Sequence, residues 1–138
     1  MISINAKISG VTFDVKVDDN VNILTGYSGT GKTFMFKAIT EYLKANGMRC
    51  IYFDNTAMNF SEKALKEACN NKELIIFDNA DLYLTQGIID YARNIGTVII
   101  SMKLAFNLKL KPYSVYKISY TDDKVVLINK SKDVAVRC

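Results

Sequence analysis

The chain has 138 residues, 49% of them hydrophobic, with a formal net charge of +4, and this length and composition favour one folded domain spanning residues 1–138. It contains no histidine, which excludes histidine-based catalysis and zinc sites built from histidine and cysteine. Its three cysteines are widely spaced and odd in number, a pattern that favours free thiols in a reducing cytosol over disulfides or a metal site.

Alternating apolar residues predict two strands at the start of the chain. The first run contains Ile2, Ile4, Ala6 and Ile8, and the second contains Val11, Phe13, Val15 and Val17. They join near Ser9-Gly10, and Asp18-Asp19-Asn20 predicts a turn into a third strand. The opening segment lacks the layout of a signal peptide, and no apolar run reaches the ~18 residues that span a bilayer. We therefore expect a cytoplasmic protein without a membrane partner.

A glycine-rich segment follows the third predicted strand, Val21–Thr25. Its sequence, Gly26-Tyr27-Ser28-Gly29-Thr30-Gly31-Lys32-Thr33, fits the pattern G-x-x-x-x-G-K-[ST] without a mismatch. Helical spacing from Phe34 to Leu43 comes next and is stopped by Gly47. In such a loop the glycines let backbone N–H groups surround phosphate oxygens, while Lys32 would reach the outer phosphates and Thr33 would bind Mg²⁺. Residues 26–33 and Phe34 are thus the predicted phosphate-ligand site.

The remaining elements alternate between strands and helices. Predicted strands cover Arg49–Asp54, Leu74–Asp78 and Thr97–Ser101, and a hairpin over Ser114–Tyr120 and Lys124–Asn129 turns at Thr121-Asp122-Asp123. One helix runs to about Asn70, capped by Asn59 or Ser61, with Glu62 placed for a capping box on Asn59. Another helix spans Gln86 to Asn94, with Thr85 as N-cap and Gly96 past its end. The loop from Met102 to Pro112 has room for a short helix.

This alternation predicts an α/β fold with a mainly parallel sheet covered on both faces. Ligands of such sheets bind where the strands end, so Thr25, Asp54, Asp78 and Ser101 should converge on one site. Asp78 follows an apolar strand and is the candidate carboxylate for Mg²⁺. The alternative is an aspartate that caps a turn or a helix.

The glycine loop and the apolar strand ending in Asp78 together resemble the P-loop NTPase superfamily. The extra strand between them, Arg49 to Asp54, resembles the branch containing ATP-binding-cassette, AAA+ and RecA-like ATPases. This resemblance covers roughly Met1 to Met102 and implies a three-layer core that binds ATP and Mg²⁺, the metal held by Thr33 and Asp78. The β-hairpins predicted above from alternation would lie at the two ends of the chain. The opening hairpin and the segment from Phe77 to Leu84 are similar to the cassette and overcoming-lysogenization-type ATPases in particular.

Several positions depart from that pattern. The family often places a water-activating glutamate after the aspartate, and here that residue is Asn79, which cannot take a proton. Asp81 is a possible substitute, so the candidate catalytic residues are Lys32, Asp78, Asn79 and Asp81. The signature loop and the switch histidine are absent, and Ser101 stands at the strand end, either as a sensor of the γ-phosphate or as an ordinary strand-terminal serine. The resemblance is to a pared-down core with a degenerate catalytic site.

Three functions remain open at this point. The first is an ATP-binding switch or weak ATPase that acts on a protein partner or as a homo-oligomer. The second is a competent AAA+-like ATPase that acts as an oligomer on nucleic acid, for which Arg93 is the best arginine to be supplied in trans. The third is a small-molecule or nucleotide kinase with Asp54 as base.

Two further features bear on the ligand and the partner. Asn129-Lys130-Ser131-Lys132 nearly matches a guanine-reading motif, but Lys132 replaces the required aspartate, so adenine is favoured by elimination. Phe13, Tyr27 and Phe34 are candidates to stack on the base, although core or surface packing is the favoured explanation for each. Lysines concentrate in the last quarter of the chain, and a solvated surface is favoured there over a patch for nucleic acid or an acidic partner.

Overall fold

The computed structural model describes residues 2–25, 32–102 and 108–132, without the side chains of Thr25, Lys32, Thr121 and residues 127–132. Within these ranges the strands are β1 (Ile2–Ile8), β2 (Val11–Val17), β3 (Val21–Thr25), β4 (Cys50–Phe53), β5 (Leu74–Phe77), β6 (Thr97–Ser101), β7 (Tyr113–Thr121) and β8 (Lys124–Lys132). The helices are α1 (Lys32–Ala45), α2 (Glu62–Cys69) and α3 (Gln86–Arg93), joined by short 3-10 helices over Asn55–Asn59 and Ala80–Leu82.

The strands form one eight-stranded sheet across the described residues, in the order β1-β2-β8-β7-β3-β6-β5-β4. The pairings from β7 through β3, β6 and β5 to β4 are parallel, whereas β1 with β2 and β7 with β8 are antiparallel. A parallel pairing of β2 with β8, in which Thr12 lies beside Lys124, joins the β1–β2 hairpin to the rest of the sheet. The predicted α/β fold with a mainly parallel sheet is confirmed, and β6 lies between β3 and β5.

Helices cover both faces of this sheet. On one face α1 contributes Met35, Phe36 and Ile39 to the core. On the opposite face α2 contributes Leu65 and α3 contributes Ile88. Every residue of β5 is buried, as expected for a strand whose two faces are both covered. None of the described helices has the length and apolarity needed to cross a membrane.

The sequence signals for the end of α1 and the start of α3 are confirmed. Gly47 takes a φ of 87°, and the N–H of Met48 donates to the carbonyl of Leu43 at 2.9 Å, which satisfies a carbonyl at the end of α1. Thr85 caps α3, since its hydroxyl oxygen accepts from the N–H of Ile88 at 3.2 Å. Gly47 and Thr85 each act on the adjacent turn of helix, so the sequence alone predicts where these helices end and begin.

The capping box predicted for α2 is wrong. Ser61 is the N-cap and accepts from the N–H of Ala64 at 3.1 Å, while Asn59 belongs to the preceding 3-10 helix. Glu62 instead pairs with Lys66 at 3.2 Å and accepts a hydrogen bond from the Thr85 hydroxyl. Its carboxylate therefore connects α2 to α3, a contact between elements that local sequence rules do not consider.

A buried asparagine closes the end of the sheet where β3 begins. Asn22 is 0% exposed, and its Nδ2 lies 2.9 Å from the carbonyl oxygens of Asp18 and Asn20 and 3.1 Å from that of Val98. Its Oδ1 accepts from the N–H of Asp18 at 2.9 Å. The hydroxyl of Ser114 donates to the Asp18 carboxylate at 2.5 Å. This network fixes the turn before β3 against β6 and β7.

Candidate functional site

The candidate site lies at the carboxyl end of β5, beside the start of α1. Ile76 packs on the face that α1 covers and Phe77 on the opposite face, so the next residue, Asp78, turns back toward α1. Thr33 is the second residue of α1, and its hydroxyl donates to Oδ2 of Asp78 at 3.0 Å. Asp78 is only 2% exposed. The structure thus brings together the two residues that the sequence assigns to Mg²⁺.

A tyrosine that the sequence analysis missed completes this cluster. The hydroxyl of Tyr52 donates to the same Oδ2 of Asp78 at 2.7 Å, and its ring lies 6.2 Å from that of Phe36. Tyr52 of β4 pairs with Ile76 of β5, so it shares a face with Asp78 two residues further along. Alternation within β4 predicts that Tyr52 and Phe53 face opposite ways, but only the register between strands identifies Asp78 as the partner.

Two phenols next to Asp78 keep their protons. Burial, and then the hydrogen bond to Asp78, raise the pKa of Tyr52 above its usual range. Burial, and then the charge of Asp78, raise the pKa of Tyr83 in the same direction. The Tyr83 hydroxyl donates to the backbone carbonyl of Asp78 at 2.7 Å and lies 3.2 Å from that of Phe53. Tyr83 therefore fixes the ends of β4 and β5, and Tyr52 remains a hydrogen-bond donor to the carboxylate.

Asn79 occupies an unusual backbone conformation. Its φ of 53° and ψ of 42° lie in the left-handed region, which asparagine tolerates better than most residues other than glycine. Its N–H donates to Oδ1 of Asp78 at 3.1 Å. Asp81 follows in the short 3-10 helix and is exposed. An asparagine thus suits this position for a conformational reason as well as for any effect on chemistry.

The other predicted strand-end residues lie at the same edge of the sheet as Asp78 but make different contacts. Ser101 ends β6 beside Leu24 of β3 and is 2% exposed. Asp54 caps the first 3-10 helix, where it accepts from the N–H of Thr56 at 2.9 Å and from its hydroxyl at 2.6 Å. The Thr56 hydroxyl is the main cause that lowers the pKa of Asp54, which makes this carboxylate a weaker base. The hydrogen bonds of the Asp54 carboxylate thus stay within its own loop, while its charge contributes to the raised pKa values of Tyr52 and Tyr83 beside Asp78.

The aromatic and arginine candidates differ in their exposure and their contacts. Phe13 is 0% exposed and therefore offers no free face to a base, so its candidate role is wrong. Phe34 lies 6.2 Å from it and is 44% exposed. Arg93 is half-buried and donates to the carbonyl of Pro112 at 3.0 Å. The predicted roles of residues 26–31 and of the Lys32 side chain fall outside the part of the chain that the structure describes.

The residues present fit a magnesium ion shared with phosphate groups. In such sites the protein supplies one or two oxygen ligands, and phosphates and waters complete the octahedron. Thr33 and Asp78 offer one hydroxyl and one carboxylate within 3.0 Å of each other. No group of three or more His, Cys, Asp or Glu residues that would hold a metal by protein atoms alone occurs in the part of the chain that the structure describes. The donor set therefore favours a metal that arrives with a phosphate ligand.

Comparison with known proteins gives one family. Residues 22–110 match the family described as ATPase family associated with various cellular activities (AAA). No curated protein matches the chain. The matched stretch begins in β3, contains the glycine loop, β4, β5 with Asp78 and β6, and ends before β7. Since it covers more than half of the sequence and includes the cluster described above, the chain belongs to the AAA family of P-loop NTPases.

Proposed function

We propose that this protein binds Mg²⁺-ATP between the glycine loop and Asp78 and acts as a nucleotide-dependent switch, or slow ATPase, on a partner. The observation that carries the proposal is the 3.0 Å contact between the Thr33 hydroxyl and the buried Asp78 carboxylate. The glycine loop pattern immediately before Thr33 and the AAA family support ATP as the ligand. When bound, Mg²⁺ neutralises and orients the phosphate groups.

Each residue has a distinct role in this proposal. Lys32 and the backbone N–H groups of residues 26–31 hold phosphate oxygens, while Thr33 and Asp78 hold the metal. Phe34, exposed beside Thr33, is the candidate to contact the base, and Ser101 at the end of the neighbouring strand is the candidate sensor of the γ-phosphate. The contacts of Tyr83 with two backbone carbonyls keep β4 and β5 at a fixed separation, so the carboxylate is held in place before any ligand arrives.

Hydrolysis should be slow in the isolated protein. The amide of Asn79 cannot accept a proton from an attacking water, so this position lacks a general base. Asp81 is exposed on the following 3-10 helix, which makes it a poorly enclosed substitute. The output of the cycle would then depend on nucleotide binding and exchange, with turnover accelerated when a partner supplies the missing group.

The second candidate is a competent oligomeric ATPase that acts on nucleic acid, and AAA membership favours it. Such an assembly needs an arginine in trans. Among the described residues, Arg93 bonds to the Pro112 carbonyl, and Arg49 lies 3.9 Å from Glu73. Each would have to leave its present contact to serve a neighbour. The kinase alternative is less favoured, because the Asp54 carboxylate that would act as its base already accepts two hydrogen bonds from Thr56.

The test measures ATP binding and phosphate release together. Purified protein and a Lys32→Ala variant are titrated with ATP in the presence of Mg²⁺, and the melting temperature and steady-state phosphate release are recorded. We expect ATP to raise the melting temperature of the parent but not of the variant, with phosphate release near the variant's background. Equal ATP binding by Lys32→Ala would refute the assigned site. Turnover well above background would favour the second candidate.

A further inference from the structure

The acceptor sites of Asp78 are nearly all used within the protein. A carboxylate offers about four lone-pair sites, two on each oxygen. Oδ2 accepts the hydroxyls of Thr33 at 3.0 Å and Tyr52 at 2.7 Å, and Oδ1 accepts the N–H of Asn79 at 3.1 Å. Oδ2, the oxygen next to Thr33, therefore has no acceptor site left for a metal or for a water that a metal holds.

The two hydroxyls on Oδ2 differ in what they can do when a cation binds. Thr33 can bind a metal through its oxygen and still donate its proton to Asp78, so its hydrogen bond is compatible with a filled site. The Tyr52 hydroxyl uses the second acceptor site of Oδ2, which either the metal or one of its waters would need, because Mg²⁺ keeps several waters when it binds. A metal or metal-bound water that takes Oδ2, the oxygen next to Thr33, must therefore displace one of these two donors, and Tyr52 is the one with no ligand role.

We infer that Tyr52 is a positioning residue that competes with Mg²⁺ for Asp78 and so sets the Mg²⁺ concentration at which the nucleotide site becomes loaded. The inference rests on the proposed function. The hydrogen bond from Tyr52 to Asp78 is charge-assisted and short, so breaking it costs free energy that metal binding must offset. Its ring packs near Phe36, so the phenol remains close to the site when its hydrogen bond is broken.

The test separates ATP binding from the Mg²⁺ requirement. ATP affinity is measured by calorimetry, first with a chelator and then at fixed ATP with increasing Mg²⁺, for the parent and for Tyr52→Phe. The variant keeps the ring and loses only the hydroxyl. We expect unchanged ATP affinity in chelator and a Mg²⁺ requirement about tenfold lower, the order expected for one hydrogen bond to a charged group. Tyr91→Phe is the matched control, since it removes a phenol that bonds Asn70 on the exposed surface, and it should behave as the parent.

Three outcomes decide the matter. A lower Mg²⁺ requirement in Tyr52→Phe alone supports the inference. An unchanged or higher requirement overturns it, and a higher one would mean that Tyr52 holds Asp78 in place for the metal. If the parent binds no ATP with or without Mg²⁺, the proposed function is wrong and this inference falls with it.

A spectroscopic measurement on the parent needs no variant. The chain has eight tyrosines and no tryptophan, so tyrosine dominates the near-ultraviolet absorbance of the protein. Adding Mg²⁺ to the ATP-bound parent should produce a tyrosine difference spectrum, because the Tyr52 hydroxyl exchanges a carboxylate for water. The same signal is expected in Tyr91→Phe and is expected to vanish in Tyr52→Phe. Absence of the signal in the loaded parent would overturn the inference.

Discussion

The two ends of the sheet both bury polar side chains, but they satisfy them in different ways. At the end where β3 begins, Asn22 is 0% exposed and bonds to backbone carbonyls, which cannot turn away. At the opposite end, Asp78 is 2% exposed, and two of its donors are side-chain hydroxyls, which can rotate to other partners. The first arrangement suits a permanent structural role, and the second suits an exchange of ligands.

This difference explains why burial alone does not identify the functional site. Both side chains would be costly to bury without partners. What separates them is whether each partner can be replaced without breaking the fold. Four predictions test this contrast, from the largest expected effect to the smallest.

Replacing Asn22 by leucine should have the largest effect on stability. The change leaves the carbonyls of Asp18, Asn20 and Val98 without their side-chain donor in a buried region, so we expect the free energy of unfolding to fall by about 3 kcal/mol. Denaturant unfolding measures it. Asn5→Leu on the exposed face of β1 is the control and should change stability by less than about 0.5 kcal/mol. Equal effects of the two changes would contradict the structural role assigned to Asn22 at the end of the sheet where β3 begins.

Asp78→Asn should instead change ligand binding. The neutral amide still accepts and donates hydrogen bonds, so the protein should remain folded, but its attraction for Mg²⁺ is lost. We expect the gain in ATP affinity caused by Mg²⁺ to fall about tenfold or more, with affinity in chelator nearly unchanged. Calorimetry with and without Mg²⁺ measures this. Asp81→Asn, a charge change on the exposed 3-10 helix, should leave the gain intact, and an equal loss in both variants would argue for a long-range charge effect.

Gly96→Ala should affect stability without affecting the ligand site. A Cβ at Gly96 would lie 2.6 Å from the carbonyl oxygen of Lys72 and 2.9 Å from that of Glu73, both of which are backbone atoms. We expect a loss of about 1–3 kcal/mol in the free energy of unfolding. Gly87→Ala is the comparison, because the atom it would meet at 2.8 Å belongs to the movable side chain of Glu62. Its loss should be smaller, and ATP affinity should stay the same in both.

The smallest effect should be the pH-dependent contribution of Asp54. Its pKa is lower in the folded protein, mainly through the Thr56 hydroxyl, so its stabilising effect is present above the unfolded pKa of about 3.9 and is lost as the pH falls through the folded value. Asp54→Ala should lower the free energy of unfolding by roughly 0.5–1 kcal/mol at pH 7 and by almost nothing near pH 2. Melting curves of both proteins across this range measure the difference. A constant difference at all pH values would exclude the carboxylate as its cause.

Most of the fold followed from the sequence because its signals are local. Short stretches of chain are enough to predict the buried strands, the cap at Thr85 and the end of α1 at Gly47. The AAA family match over residues 22–110 contains Thr85 and Gly47. The contact between Thr33 and Asp78 was foreseeable because the two motifs recur together. Tyr52 was not, because its role depends on the register of β4 against β5. Nor were the true partners of Glu62 and Asp54, since competing acceptors and donors meet only in the folded chain.

The parallel pairing of β2 with β8 also constrains how the molecule assembles. Thr12 and Lys124 are neighbours in the sheet although most of the chain separates them in sequence. Bringing such distant segments together costs loop entropy that no local contact offsets early, which slows folding. During synthesis on the ribosome, the β1–β2 hairpin emerges before β7 and β8, so β2 can pair with β8 only after those strands have been made. Until then β2 exposes an unpaired edge, so the nascent chain passes through a stage prone to aggregation or to capture by a chaperone.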